Sequence, residues 1–142
     1  MALNLSLFLA ENVEKPKNVK FPATTRIKDE TGCPVEWEIR ALTSAEDDEL
    51  RKASVRRTPV PGRKNQYTND LDMNIYLAKL GAAATVYPPL SDASLQKSYG
   101  VNGAENLLKA MLTAGEYMNY LARVQEVSGF TALQDEVNEA KN

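Results

Sequence analysis

Two stretches of the chain repeat apolar residues at the 3.6-residue period of an amphipathic helix. Leu107, Leu108, Met111 and Leu112 fall on one side, and after a break at Gly115 a second stripe follows at Tyr117, Tyr120, Leu121, Val124 and Val127. Both lie in the segment from Val86 to Gly129, on which any core must be assembled. Ser91 with Asp92 is a good helix start and Gly100 a good stop, so a shorter helix from about Asp92 to Tyr99 precedes the other two. Pro88 and Pro89 close whatever comes before them, because the ring removes the N–H and clashes inside a helix. Upstream, LDMNIYLAKLGAAATVY, capped from Asp70, carries one charged residue, Lys79, after Asp72. A helix apolar on most sides is a buried helix, and Gly81 to Ala84 lets neighbours come close. Its last residues fit equally well a short extended piece running up to the prolines.

Elsewhere the period is two. Val19, Phe21, Ala23, Thr25 and Ile27 point one way while Lys20, Thr24, Arg26 and Lys28 point the other, which predicts a half-buried strand. Asp29 to Gly32 supplies a turn, after which Val35, Trp37 and Ile39 alternate with Glu36, Glu38 and Arg40. A hairpin over residues 19–41 follows, basic on one outward strand and mainly acidic on the other. Pro22 cannot donate to a ladder, so the first strand is an edge or bulged strand. Two strands alone are marginal, so the face carrying Phe21 and Trp37 needs helices against it. Thr43 with Glu46 is a capping box that opens an exposed helix over 43–57. Near the N-terminus Leu5, Phe8 and Leu9 are spaced i, i+3, i+4 behind Asn4, which predicts a short helix over 4–11 docked on its own domain or on a partner. The polar run ENVEKPKN then forms a linker that completes 1–18. Beyond Gly129, Phe130, Leu133 and Val137 with Thr131 and Gln134 predict a last helix, so residues 70–142 read as helical core plus C-terminal helix.

The fold expected is therefore α+β: an N-terminal β-hairpin packed on a mainly α-helical domain of about five helices. A length of 142 residues fits one domain with a real core. Hydrophobic residues at 43% and charged residues at 25% favour neither disorder nor a membrane span. The N-terminal LNLSLFLA is interrupted by Asn4 and Ser6 and preceded by no Lys or Arg, so it does not read as a signal peptide. No apolar run approaches the roughly 20 residues of a membrane helix.

Composition also narrows the chemistry. The chain has no histidine, which removes the commonest general base, the commonest metal ligand and the usual partner of a serine or cysteine nucleophile. A single cysteine, Cys33, excludes an internal disulfide and a cysteine-based metal cluster and fits a reducing compartment. Glu46, Asp47, Asp48 and Glu49 have the composition of a magnesium or acid/base site. They are better explained as a first turn complementing the helix dipole, with Asp47–Arg51 and Asp48–Lys52 as i, i+4 pairs. A net charge of −2 gives no global attraction to nucleic acid or anionic membrane. Arg51, Lys52, Arg56, Arg57, Arg63 and Lys64 nevertheless cluster around PVPG. The expected structure there, over 58–69, is a solvated basic loop. A polyanion or acidic protein partner is the sharper alternative, with only Tyr67 near as an aromatic platform.

The blocks FLAENVEKPKNVK, IKDETGCPVEWEIRALTSAEDDELRK, VYPPLSDASLQKSYGV and LLKAMLTAGEY and the terminal EAKN, in this order, closely resemble the XkdN-like tail assembly chaperones of contractile-tailed phages and phage-like defective prophages of Gram-positive bacteria. The resemblance covers nearly the whole chain and thins between Val55 and Thr68. It implies a non-enzymatic protein without cofactor that binds the tail tape measure protein, keeps it soluble, helps recruit tail tube subunits, works in the host cytoplasm and is absent from the finished particle. Such a partner is a long helical chain whose apolar stripes aggregate unless covered, and a reversible helix-in-groove cover is the simplest remedy. Adaptable apolar residues are the candidates for that surface: Leu5, Phe8, Leu9, Met111, Tyr117 and Met118, each of which also reads as ordinary core. Arg56, Arg57, Arg63 and Lys64 are the candidate patch for the competing reading, a nucleic-acid-associated phage protein. Chaperones of long-tailed phages are often made in two lengths by a backward slip of one nucleotide. Ala140, Lys141 and Asn142 can be encoded as GCA AAA AAC, which holds the slippery heptamer A AAA AAC in register, so a longer form reaching the tail tube protein is expected. Homo-oligomerisation is left open.

Overall fold

A computed structural model describes residues 4–130. Its element order is β1 (Val19–Phe21), β2 (Trp37–Ile39), α1 (Ser44–Ala53), β3 (Val55–Pro59), β4 (Tyr67–Leu71), α2 (Met73–Ala84), β5 (Thr85–Tyr87), α3 (Ala93–Ser98), α4 (Ala104–Met111) and α5 (Ala114–Val127). The fold is α+β, with an N-terminal strand pair and five α-helices among the described residues. The last helix expected beyond Gly129 falls almost wholly outside them.

α2 is the central element. It packs against α1, α4, α5 and β5, and Tyr76, Ala78, Leu80, Gly81 and Ala84 are buried along it. Gly81 shows why a small residue is needed there: a Cβ would lie 2.9 Å from a methyl of Leu108 and 2.9 Å from one of Leu121. The helix cap is Asp72, which accepts from the N–H of Asn74 and Ile75, and not Asp70, which lies in β4 opposite Arg56. The two stripes form α4 and α5 and bury Leu107, Leu108, Met111, Tyr120, Leu121 and Val124. Their junction comes earlier than Gly115. α4 stops at Met111, Leu112 is extended, and Thr113 with Glu116 forms a capping box that starts α5, leaving Gly115 inside its first turn. Asp92 caps α3 through the Leu95 N–H, and Gly100 follows it with φ +68°.

β2 lies between β1 and β5 in an antiparallel sheet of three strands. The end of the apolar segment thus takes its extended alternative and supplies β5, so the first hairpin gains a third strand as well as helices behind it. Trp37 is 1% exposed and meets the Tyr120 ring edge-on with centroids 5.4 Å apart, while Phe21 lies 5.8 Å from the same ring. Outside, Lys20 stands directly opposite Glu38, 3.8 Å away. Regular pairing covers only three residues of the strand expected over 19–27. From Pro22 to Arg26 the chain bends, Thr24 is buried and Thr25 exposed, the reverse of the alternation. Pro22 offers no N–H to the ladder, and the segment is held by other bonds: Arg26 donates to the Met111 carbonyl and to Glu116, each at 2.8 Å, and its N–H donates to the Thr24 hydroxyl. Ladder contact resumes at Lys28–Pro34.

Three further expectations are corrected. The N-terminal segment forms two 3-10 turns, Leu5–Phe8 and Ala10–Asn12, instead of one α-helix; Asn4 does cap the first. It is not docked on the domain, since Leu5 is 71% and Phe8 77% exposed. The helix expected over 43–57 ends at Ala53, and the basic loop expected over 58–69 is most of a hairpin in which β3 and β4 pair from Val55↔Leu71 to Pro59↔Tyr67. Finally, Lys52 lies 3.7 Å from Glu49 instead of pairing with Asp48, whereas the Asp47–Arg51 pair forms at 2.8 Å.

Candidate functional site

The carboxylate cluster on α1 is structural. Glu46 completes the Thr43 capping box and receives both terminal nitrogens of Arg40, at 3.1 and 2.6 Å. The Arg40 hydrogen bonds, with the Thr43 N–H, hold the Glu46 carboxyl at about 2. Burial pushes Asp47 up, but the hydroxyl of Tyr76 and the guanidinium of Arg51 outweigh it and leave its carboxyl below the usual range. Burial lifts the Tyr76 and Tyr120 phenols to about 12. Every resolved shift therefore moves a group away from neutrality, the opposite of what general acid/base chemistry requires. Among the described residues no three acids or thiols are placed to hold a metal ion.

What the elements do build is an apolar groove of about 250 Å³. The first hairpin contributes Ile27, Val35 and Trp37, the end of β5 contributes Tyr87 and Pro88, α3 contributes Leu95 and Tyr99, and Met111 closes the floor from α4. Tyr87 and Tyr99 are exposed at its rim, each an apolar body with a polar tip. Chain separation explains why no sequence pattern marks this groove. Each contributing stretch has its own reason to be apolar, and only β2–β5 pairing and the docking of α3 bring them together. The cue in the sequence is Tyr87 beside two prolines, an aromatic whose own segment cannot be helical.

The structure distributes the candidate residues widely. Met111 is 4% exposed and belongs to the core, although it lines the groove; Tyr117 is half-buried on α5, and Met118 is 63% exposed on the same helix. Leu5, Phe8 and Leu9 lie on the uncovered N-terminal segment. Arg56, Arg57, Arg63 and Lys64 are all exposed on the second hairpin. Arg56 pairs with Asp72 at 3.5 Å, Arg63 donates to Gln66, and the Arg57 guanidinium lies 3.8 Å over the Tyr67 ring. Tyr67 thus has one face already covered, and no other aromatic residue lies on the hairpin.

Fold and groove define a small mixed α+β domain equipped for apolar contact, without a constellation for acid/base or metal chemistry among its described residues. Residues 5–141 match the family described as phage XkdN-like tail assembly chaperone protein, and the chain belongs to that family. Among relatives from Bacillus subtilis (strain 168), it is 29% identical to the phage-like element PBSX protein XkdN, over 98% of this chain and 94% of that one. It is 30% identical to the uncharacterized protein YqbN over 98% and 93%. The crystal structure of YqbN superposes with a TM-score of 0.76 at 25% identity, covering 91% of this chain and 98% of the other. No helix among the described residues is long and apolar enough to cross a membrane.

Proposed function

We propose that the chain binds the tail tape measure protein in the host cytoplasm, keeps it soluble until the tail tube closes round it, and is left out of the finished particle. Family membership across residues 5–141 carries this reading. The groove between the first hairpin, β5 and α3 receives the apolar stripe of the tape measure helix, with Tyr87 and Tyr99 as rim anchors and Met111 and Trp37 as the floor. Met118, exposed on α5, is a separate apolar contact outside the groove, and Tyr117 beside it is half-buried against the core. Co-expression with the tape measure protein, followed by gel filtration, tests the reading. A complex should form that Tyr87→Glu and Tyr99→Glu together abolish, whereas no complex, and a tape measure equally soluble alone, would refute it. Recruitment of the tail tube protein belongs to a longer product made by slippage at Ala140-Lys141-Asn142, and the codons there decide that mechanism. Nucleic-acid binding by Arg56, Arg57, Arg63 and Lys64 is the weaker reading, because the hairpin has a single, half-covered aromatic ring for base stacking. A salt-dependent DNA shift lost on neutralising those four would favour it instead.

A further inference from the structure

Asn102 and Gly103 form the single Asn-Gly pair in the sequence, and they lie in the connection between α3 and α4. Asparagine is a chemically labile residue, and its usual reaction runs through the backbone: the nitrogen of the next residue attacks the side-chain amide carbon. A side chain on that next residue hinders the approach, and glycine has none. Both residues of the pair are exposed, so water and hydroxide reach them. The attacking nitrogen is nevertheless held. The Gly103 N–H donates to Oε1 of Gln96 at 3.1 Å, while Nε2 of the same side chain donates to the Leu90 carbonyl at 2.8 Å. Gln96 is half-buried on α3 and tied at both ends of its amide, so it stays in place as an acceptor for the proton that must leave. On the far side of the same peptide, Nδ2 of Asn106 donates to the Asn102 carbonyl at 2.8 Å.

We propose that Asn102 is a site of spontaneous deamidation and that Gln96 sets its rate by holding the Gly103 N–H. Hydroxide removes the proton from the Gly103 nitrogen, which then forms a bond to the side-chain amide carbon of Asn102. The bond from that carbon to Nδ2 breaks, and the nitrogen leaves as ammonia with a proton taken from water. Water adds to either carbonyl of the resulting succinimide and opens the ring, giving aspartate or, with the backbone rerouted through the side-chain carbon, isoaspartate. No oxidant, reductant or cofactor enters. The hydrogen bond to Gln96 opposes the first step, because it stabilises the protonated nitrogen. The new carboxylate stands just ahead of α4, a helix that starts at Gly103 without a capping side chain, so the helix dipole favours it and the aspartate product keeps the fold. Isoaspartate instead adds a backbone methylene beside the Gln96 contact that ties α3 to the start of α4. The proposal does not depend on tape measure binding.

Peptide mapping by mass spectrometry on the full chain, incubated in mildly alkaline buffer, follows each asparagine separately. Asn102 should gain the mass of an amide-to-acid exchange while Asn18, Asn74 and Asn119, each followed by a residue with a bulky side chain, keep their amides. The product peptide should elute as an aspartate and an isoaspartate form, the mark of a succinimide. Gln96→Ala should raise the rate at Asn102 several-fold in the folded chain, with folding checked by circular dichroism. Gln96→Glu keeps an oxygen for the Gly103 N–H and should react at close to the parent rate, whereas a general loosening of α3 would speed both variants alike. In urea, where the hydrogen bond is lost in every chain, the parent and Gln96→Ala should react equally fast. An Asn102 that keeps its amide in the folded parent would overturn the proposal, as would aspartate as the sole product, which signals direct hydrolysis. A folded Gln96→Ala chain that reacts no faster than the parent, or a Gln96→Glu chain that reacts as fast as Gln96→Ala, would overturn the role of Gln96.

Discussion

The two hairpins of this molecule are built by the same backbone ladder and live in opposite environments. β1 and β2 pair over three residues, yet Trp37 and Ile39 are buried, Trp37 against the Tyr120 ring, and β2 is flanked on both sides. β3 and β4 pair over five residues in unbroken register, and none of their side chains is buried. Ladder length therefore does not track contribution to the core. The second hairpin is held at its base, where Ser54 is fully buried, donates its hydroxyl to the Leu50 carbonyl, and accepts the Asp72 N–H on its own carbonyl. One hairpin is a wall of the domain and the other projects from it.

The largest expected effect sharpens this contrast. Trp37→Ala should cost about 3–5 kcal/mol, because it opens a large cavity beneath Tyr120. Chemical denaturation measures it, and a loss below about 1 kcal/mol would show that the first hairpin is no more essential than the second. The packing behind the sheet gives a smaller effect of mixed sign. At Gly81 an alanine gains about 1 kcal/mol of helix propensity, while crowding Leu108 and Leu121 costs about 1–3 kcal/mol. A net loss of up to about 2 kcal/mol should appear in the same assay, and a gain would mean that the two leucines yield freely.

Acid should weaken the first hairpin's attachment selectively. Hydrogen bonding from Arg26, then from the Thr113 N–H and the Thr24 hydroxyl, holds the Glu116 carboxyl at about 2 against an ordinary value of 4.5. Arg40 does the same for Glu46. A folded-state value below the unfolded one gives stability that is complete above the ordinary value and lost as pH falls from there through about 2. Denaturation midpoints should therefore decline over that window, and less steeply in Glu116→Gln, whose uncharged amide has no proton to gain. An unchanged slope in that variant would detach Arg26 from the stability of the turn. The smallest effect is expected on the second hairpin. Tyr67→Ala removes an exposed cation–π contact with Arg57 worth at most about 1 kcal/mol, and it should leave Trp37 fluorescence unchanged. A shift in that emission would couple the second hairpin to the core.

Whatever depends on local chemistry was legible in the chain. The stripes that became α4 and α5, the Thr43–Glu46 box, the Asp92 start and Gly100 stop, and the inward set Val35, Trp37 and Ile39 all express one segment's period or cap, and each holds in the structure. Boundaries shifted where two signals competed. The Thr113–Glu116 box outweighed Gly115 as the junction, and Asp72 outweighed Asp70 as the cap. Tertiary structure alone decided the rest. Residues 55–71 have no apolar alternation to announce strands, because a sheet facing water on both sides needs none. The reversal at Thr24 follows from Arg26 reaching the Met111 carbonyl, 85 positions away in sequence. The groove exists only because β5 pairs with β2 and α3 folds back beside it, and the N-terminal segment stays exposed because no surface among the described residues receives it. Periodicity records which face of an element is apolar; what that face meets, or fails to meet, is settled by the free energy of packing the whole chain.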